Sequence, residues 1–212
     1  MFLACEALTA DDPRAPRMLA AAEPLALFEV LQPGVSLAIW GRALPRALQQ
    51  AASGLAGLAP FSRSYQGSPD QVAAAALADL PPPRSRVLAA DLRFLALLFQ
   101  AVSARPVIRL RLEGVADDGC PRFHADAVRL RLLCTYCGAG TEWLPLPGGE
   151  AAQPPDPAVI LRLPAGAVAV MRGEAGLPGH GCIHRSPPMP RNAAGRALRP
   201  RLLLCLDEGD ED

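Results

Sequence analysis

The stretch Cys120-Pro-Arg-Phe-His-Ala-Asp126 places a histidine and a carboxylate two residues apart. On an extended strand, side chains at positions i and i+2 point to the same face, so His124 and Asp126 are predicted to project into one space. Further along, His184 opens a second distinctive segment, His-Arg-Ser-Pro-Pro. Two histidines and one carboxylate form the facial triad typical of non-haem iron(II) sites, which leaves other coordination positions open. The sequence therefore predicts a metal site of His124, Asp126 and His184.

The length of 212 residues suits one domain that is large enough to bury a core. We predict a flexible tail over residues 1–22, a single domain over residues 23–207 and an acidic tail over residues 208–212. Half of the residues are hydrophobic but only 5% are aromatic. The core is therefore expected to consist mainly of leucine, valine and alanine.

The charge balance argues against two classes of partner. The chain has 21 basic and 21 acidic residues, so it lacks the excess of positive charge that nucleic acids and anionic membranes demand. Every basic residue is arginine. The absence of lysine excludes mechanisms that depend on a lysine Schiff base or a P-loop.

The sequence also carries expectations about location. No run of about 18 apolar residues is present, so no membrane span is predicted. The first residues lack the basic region and the long apolar segment of a signal peptide. Six scattered cysteines without such a signal are typical of a reduced, cytoplasmic protein.

Hydrophobic periodicity predicts helices in the first half of the chain and short strands in the second. The segment 35–40 is strand-like, and 60–69 is predicted as a loop. The predicted helices are residues 44–58, 68–78 and 85–103. The predicted C-terminal strands are residues 107–112, 128–136, 159–163, 167–172 and 202–207. This order indicates an α+β chain, with a helical part over residues 23–105 packed on a sandwich or jelly roll over residues 106–207.

The order of motifs in the second half resembles that of the iron(II)/2-oxoglutarate-dependent dioxygenases, especially the prolyl-hydroxylase-like branch. The shared features are a His-x-Asp motif, a strand ending in Tyr136, a Pro-x-Gly turn before an apolar strand, a histidine followed by prolines, and an arginine opening the last strand. The chain is also similar to the DUF1826 family, an uncharacterised bacterial family. The similar stretches are Pro-Arg-Phe-His-x-Asp, Cys-Thr-Tyr-x-Gly-x-Gly-Thr-Glu-Trp-Leu, His-Arg-Ser-Pro-Pro and Arg-Leu-Leu-Leu, and they cover most of the chain from about residue 25.

The resemblance implies a double-stranded β-helix with iron(II) held by His124, Asp126 and His184. It also implies that Arg201 binds the distal carboxylate of 2-oxoglutarate, since a guanidinium matches a carboxylate bidentately. Because the spacing from His184 to Arg201 is longer than usual, Arg199 and Arg196 compete for this role.

Two further residues are given roles in the predicted site. Tyr136 is expected to hydrogen-bond the cosubstrate and take part in catalysis. Arg122 is expected to bind an anionic substrate or to pair with Asp126.

Two alternative functions stay open at the level of sequence. Cys120 and Cys182 each lie near a candidate histidine ligand, and a thiolate ligand would favour zinc over iron. The chain would then be a non-catalytic zinc-binding protein acting in metal homeostasis. The other alternative is a small-molecule-binding jelly roll without metal. The pair Cys134 and Cys137 is interpreted as buried small side chains, and no feature indicates the substrate.

Overall fold

The computed structural model describes residues 17–79, 84–145 and 157–210. The predicted tail up to residue 16, the triple proline at 81–83 and most of the proline-rich segment 147–157 lie outside these ranges. The described part opens with a strand and a 3₁₀-helix, Pro24–Leu31. Three α-helices follow: α1 (Arg46–Ala56), α2 (Pro69–Ala76) and α3 (Arg84–Ser103). None of the helices in the described ranges has both the length and the apolarity required to cross a bilayer.

Local sequence explains where the helices begin and which face they bury. Helix α2 starts at a capping box, in which the Ser68 hydroxyl accepts from the Gln71 backbone and the Gln71 side chain accepts from the Ser68 backbone. Helix α3 buries the residues that recur at helical spacing, which are Leu88, Leu92, Leu95, Phe99 and Val102. The predicted helices 44–58, 68–78 and 85–103 correspond to α1, α2 and α3.

A seven-stranded sheet forms the centre of the described part of the molecule. Its strands are β1 (Arg17–Ala21), β2 (Val35–Trp40), β3 (Phe61–Gly67), β4 (Ile108–Val115), β5 (Leu130–Cys137), β8 (Val168–Arg172) and β10 (Arg201–Glu208). Their order is β1-β2-β8-β5-β10-β4-β3, and all pairs are antiparallel except β1 with β2. A smaller sheet has the order β7-β6-β9, with β6 (Glu142–Trp143), β7 (Leu161–Arg162) and β9 (His184–Arg185).

The two faces of the large sheet cover different cores. On β10, Leu202, Leu204 and Leu206 belong to the cluster that contains the buried residues of all three α-helices. The intervening Cys205 belongs to a second cluster together with Trp143 of the small sheet. Because side chains alternate along a strand, one face of the large sheet packs on the helices and the other faces the small sheet.

The structure corrects the predicted elements at three places. Phe61–Gly67, predicted as a loop, forms edge strand β3, whose residues alternate between half-buried and exposed positions. Arg17–Ala21, placed in the predicted tail, forms β1 and pairs with β2. His184–Arg185 forms β9 between the predicted strands 167–172 and 202–207, where no element was predicted. Each of these strands is short or polar, so its pairing depends on a partner distant in sequence. The division into domains stays a prediction.

Candidate metal centre

The two histidines of the predicted triad meet across an isolated antiparallel bridge. The His124 amide donates to the His184 carbonyl at 3.0 Å, and the His184 amide donates back at 2.9 Å. Asp126 follows in an irregular segment before β5. One ligand atom from each of the three residues lies within 4.8 Å of the others. The structure thus brings His124, Asp126 and His184 together, although the His-x-Asp motif does not lie on a regular strand.

Hydrogen bonds orient both imidazole rings. His124 Nδ1 lies 2.9 Å from the Arg122 carbonyl oxygen, and His184 Nδ1 lies 3.0 Å from the Cys182 carbonyl oxygen. Because a carbonyl oxygen can only accept, each Nδ1 donates, and Nε2 is left with the lone pair when the ring is neutral. His184 Nε2 lies 3.3 Å from Asp126 Oδ2, and His124 Nε2 lies 3.6 Å from Asp126 Oδ1.

The carboxylate of Asp126 is held on one side and free on the other. Oδ1 accepts a hydrogen bond from Arg131 Nη1 on β5, whereas Oδ2 is buried without a hydrogen-bond partner. Arg131 is fixed in turn by Asp207 on β10, through Nε to Oδ1 at 2.6 Å and Nη2 to Oδ2 at 2.8 Å. Since buried polar atoms are normally paired, the free Oδ2 marks a position that suits a cation.

The pKa values of the three groups favour a charged carboxylate beside a neutral ring. Burial lowers the pKa of His184. For Asp126, burial acts to raise the pKa, but the nearby imidazole of His124 and the positive charge of Arg131 outweigh it, and the pKa is lowered. The proximity of the Asp126 carboxylate raises the pKa of His124. A carboxylate with imidazole nitrogens is a donor set that divalent transition metals accept.

The triad borders a cavity of about 630 Å³, a size typical of small-molecule sites. Its floor is the face of the large sheet that is turned away from the helices. Three arginines, Arg111, Arg131 and Arg185, contribute to its lining. The remaining polar lining comes from Ser62, Glu113, Asp117, Thr141 and Ser186.

Arg201, the predicted carboxylate-binding residue, is only 1% exposed. Its Nη2 donates to Thr135 Oγ1 at 3.5 Å, whereas its Nε and Nη1 have no hydrogen-bond partner. Burial lowers the pKa of Arg201 to about 10. Arg201 borders a second cavity of about 610 Å³ together with the exposed Arg199, and Arg196 is exposed as well. Of the three competing arginines, Arg201 is therefore the buried one with free donors.

Tyr136 lies on the other face of the large sheet. It belongs to the core cluster formed with the helices, and its hydroxyl donates to Asp91 on α3 at 2.6 Å. Asp91 also accepts two hydrogen bonds from Arg42. The structure does not bring Tyr136 to the triad, and its roles as a cosubstrate ligand and catalytic residue stay predictions. The sequence could not reveal which face of β5 the tyrosine occupies.

Arg122 is exposed, and its contact with the triad is made by its backbone carbonyl. The predicted arginine partner of Asp126 is present, but it is Arg131. A second arginine near the triad, Arg185, donates through Nε to the Glu142 carboxylate at 2.8 Å. Its guanidinium stacks 4.3 Å from the centre of the Phe123 ring.

The cysteines near the triad do not join it. Cys120 is exposed at the edge of the cavity, and Cys182 is buried, which raises its pKa to about 12. Neither belongs to the group of metal-ligating side chains found among the described residues, and the exposed His180 does not belong to it either. Cys134 is buried and Cys137 is half-buried, in agreement with the interpretation of small packed side chains.

Arg111, Arg131 and Asp207 were not predicted as site residues. A signal was present, because arginines alternate with leucines on β4 and β5. Such alternation normally indicates a sheet with one solvent-exposed face. Here the small sheet and its loops cover that face, so the arginines line a cavity.

No curated protein matches the chain. Comparison with solved structures finds the rice dioxygenase for auxin oxidation, with 15% identity, 82% of this chain and 73% of that chain covered, and a TM-score of 0.49. It also finds a full-length Neurospora crassa protein in complex with alpha-KG, with 11% identity, coverages of 96% and 87%, and a TM-score of 0.48.

A family model describes most of the chain. It matches residues 21–207, which include every strand and helix from the 3₁₀-helix to β10 apart from the last residue of that strand. The match also contains all three residues of the triad. The family is described as a protein of unknown function. The chain therefore belongs to the DUF1826 family.

Proposed function

We propose that this protein is a metal-dependent oxygenase of the iron(II)/2-oxoglutarate type, which hydroxylates a substrate bound in the triad cavity. The observation that carries the proposal is the convergence of His124, Asp126 and His184, whose ligand atoms lie within 4.8 Å of one another at the wall of a cavity. Two nitrogen donors and one carboxylate on one side of a cation leave the remaining positions open for ligands.

The path of the chain supports a double-stranded β-helix. From β4 onward, successive segments alternate between the two sheets: β4 in the large sheet, His124 bridged to the small sheet, β5 in the large, β6 and β7 in the small, β8 in the large, β9 in the small and β10 in the large. We infer a jelly roll from this alternation. The triad then lies where the small sheet faces the large one.

The residues present fit an iron(II) ion. Asp126 Oδ2 is a buried acceptor without a partner, and both Nδ1 atoms are occupied by carbonyl oxygens, which leaves the Nε2 atoms for a metal. When bound, iron(II) with 2-oxoglutarate would supply the activation of oxygen for hydroxylation. The protein's part is to keep one face of the ion open and to limit the access of water.

Arg201 fits the distal carboxylate of 2-oxoglutarate. A buried guanidinium with free Nε and Nη1 donors is costly unless an anion completes it. Arg201 is on β10, four residues from Cys205, and alternation places both on the face turned toward the small sheet. Arg199 is exposed and therefore has no buried donors that an anion must complete.

The test is the metal content of untagged protein, compared with a His124→Ala/Asp126→Ala variant, followed by a 2-oxoglutarate decarboxylation assay with iron(II). We expect iron near one equivalent per chain in the wild type, its loss in the variant, and decarboxylation by the wild type alone. Near-stoichiometric zinc with no decarboxylation after exchange to iron would contradict the oxygenase and favour the non-catalytic zinc protein. That alternative also requires Cys120 or Cys182 as a ligand, and neither lies in the triad group.

A further inference from the structure

The arginines that line the triad cavity differ in how their charges are balanced. Arg131 contacts two carboxylates, and Arg185 contacts the buried Glu142. Arg111 forms no ion pair with any residue in the described part of the chain. Because a cation in a partly buried site is normally paired, the lack of an ion pair at Arg111 requires an explanation.

The contacts of Arg111 are weak. Its Nη2 donates to the thiol of Cys205 at 3.2 Å, and its Nε is buried without a partner. Burial raises the pKa of Cys205 to about 12, so the thiol stays protonated and supplies no countercharge. Glu113 is two residues away on the same strand, but its carboxylate accepts from the Ser62 hydroxyl at 3.3 Å. Arg111 therefore presents at least one free, buried donor.

Strand register places Arg111 next to the triad. Arg111 pairs with Cys205 on β10, and the neighbouring row on the same face contains Asp207 and Arg131, which pair with each other across β10 and β5. Residues two apart on a strand are separated by roughly 7 Å. Since Arg131 contacts Asp126 directly, a group bound to Arg111 would lie one row away from the triad.

We propose that Arg111 is an anion-binding residue of the triad cavity and takes a carboxylate group of a small-molecule ligand. One carboxylate oxygen would accept from the unpartnered Nε–H, and the other would accept from Nη2–H in place of the thiol, which is a weak acceptor. This role rests on the proposed function, which supplies two sources of the carboxylate. One is the carboxylate next to the keto group of 2-oxoglutarate, since the distal carboxylate is assigned to Arg201, and the other is the primary substrate.

The experiment uses protein loaded with manganese(II), so that no turnover occurs, and calorimetric titration with 2-oxoglutarate. The variants are Arg111→Gln and Arg111→Lys. The matched control is Arg109→Gln on the same strand and face, because Arg109 is paired outside the cavity with Gln66 and Asp210. A second titration adds acetate to protein saturated with 2-oxoglutarate, which tests for a carboxylate from the primary substrate.

If the carboxylate belongs to 2-oxoglutarate, Arg111→Gln weakens its binding by about tenfold or more, Arg111→Lys weakens it less, and Arg109→Gln leaves it unchanged. If the carboxylate belongs to the primary substrate, the wild type and Arg111→Gln bind 2-oxoglutarate with the same affinity. The wild type then binds acetate in the second titration, and Arg111→Gln does not. The proposal is overturned if neither titration distinguishes Arg111→Gln from the wild type, or if Arg109→Gln has the same effect.

One outcome separates this inference from the proposed function. If the wild type binds no 2-oxoglutarate, the cosubstrate assignment fails, and the acetate titration is then made on manganese-loaded protein without 2-oxoglutarate, where loss of acetate binding in Arg111→Gln still decides the role of Arg111. Thermal unfolding tests whether weaker ligand binding by Arg111→Gln results from misfolding of the variant. Because Arg111 has no carboxylate partner among the described residues, Arg111→Gln is expected to unfold at the same or a higher temperature than the wild type.

Discussion

Arg131 determines how Asp126 presents its carboxylate. Asp126 lies in an irregular segment, so its backbone alone does not fix the side chain, whereas Arg131 lies on the central strand β5. A guanidinium beside a metal ligand has two opposing effects: it orients the carboxylate, and it repels the cation. Asp207 neutralises the guanidinium through two hydrogen bonds. Since the three groups together carry one negative charge, we expect orientation to outweigh repulsion.

Replacing Arg131 by lysine should lower metal affinity by roughly ten- to a hundredfold, because an ammonium group cannot contact Asp126 and Asp207 with the same fork. Cobalt(II) titration followed by visible absorption measures the affinity and reports the coordination geometry. Arg185→Lys is the control, since an ammonium group can keep both the contact with Glu142 and the position over the Phe123 ring. Unchanged or tighter cobalt binding in Arg131→Lys would mean that repulsion dominates and that Arg131 does not position the ligand.

The placement of Tyr136 in the core beside α3 predicts that this residue contributes to stability. Tyr136→Phe removes one hydrogen bond to Asp91, which keeps its two bonds from Arg42. We expect a loss of about 1–2 kcal/mol in the free energy of unfolding, measured in urea, because a buried bond to a charged group is lost. Binding of metal and 2-oxoglutarate should not change. Weaker 2-oxoglutarate binding by Tyr136→Phe at unchanged stability would instead mean that Tyr136 binds the cosubstrate.

At the scale of elements, Glu142 joins the three strands of the small sheet. It lies on β6 and contacts Arg162 on β7 and Arg185 on β9. Burial acts to raise its pKa, but the hydrogen bonds from both arginines outweigh burial and lower it. Because β9 also contains His184, the ion pairs of Glu142 help to hold the strand that carries one member of the triad.

This lowered pKa predicts a pH dependence. A carboxyl group whose pKa is lower in the folded state stabilises the protein above its unfolded pKa, and the contribution is lost as the pH falls through the folded pKa. Wild type should therefore be more stable than Glu142→Gln at pH 7, and the difference should vanish in acid below the ordinary glutamate value of 4.5. Urea unfolding from pH 7 to pH 3 measures both chains. A difference that stays constant with pH would show that the charge of Glu142 contributes nothing.

The elements that could be predicted from the sequence are those with strong local signals. Helix α3 has an apolar stripe at helical spacing, and strand β2 matches its predicted residues 35–40. Strands β6 and β9 have two residues each, so no periodicity exists to detect. Edge strand β3 contains serine, arginine and glutamine, and its pairing with β4 makes it a strand. Such elements are determined by tertiary contacts, which local propensity does not contain.

At the scale of the whole molecule, the order of the motifs predicted contact between residues that are far apart in sequence. His124 and His184 were predicted to meet because each lies in a distinctive segment, and the bridge between them confirms that they do. The charged residues around them were not predicted. Arg111 and Arg131 occupy positions that look solvent-exposed in a sequence, and they are half-buried because the small sheet covers that face of the large one.

This closure predicts that metal binding stabilises the entire fold. The ligands come from two distant segments, His124 with Asp126 and then His184, which meet only in the folded chain. A metal that binds the native state alone therefore adds about 2.7 kcal/mol at a hundredfold excess over its dissociation constant. For a domain of this length, that corresponds to a rise of roughly 5–10 °C in the unfolding temperature. We expect manganese(II) to produce this rise in chelator-treated wild type and in His180→Ala, whose histidine is exposed outside the triad. His124→Ala should show no rise. An equal rise in His124→Ala would mean that the metal binds outside the triad, because a cation held by His124, Asp126 and His184 loses one of its three ligands in this variant.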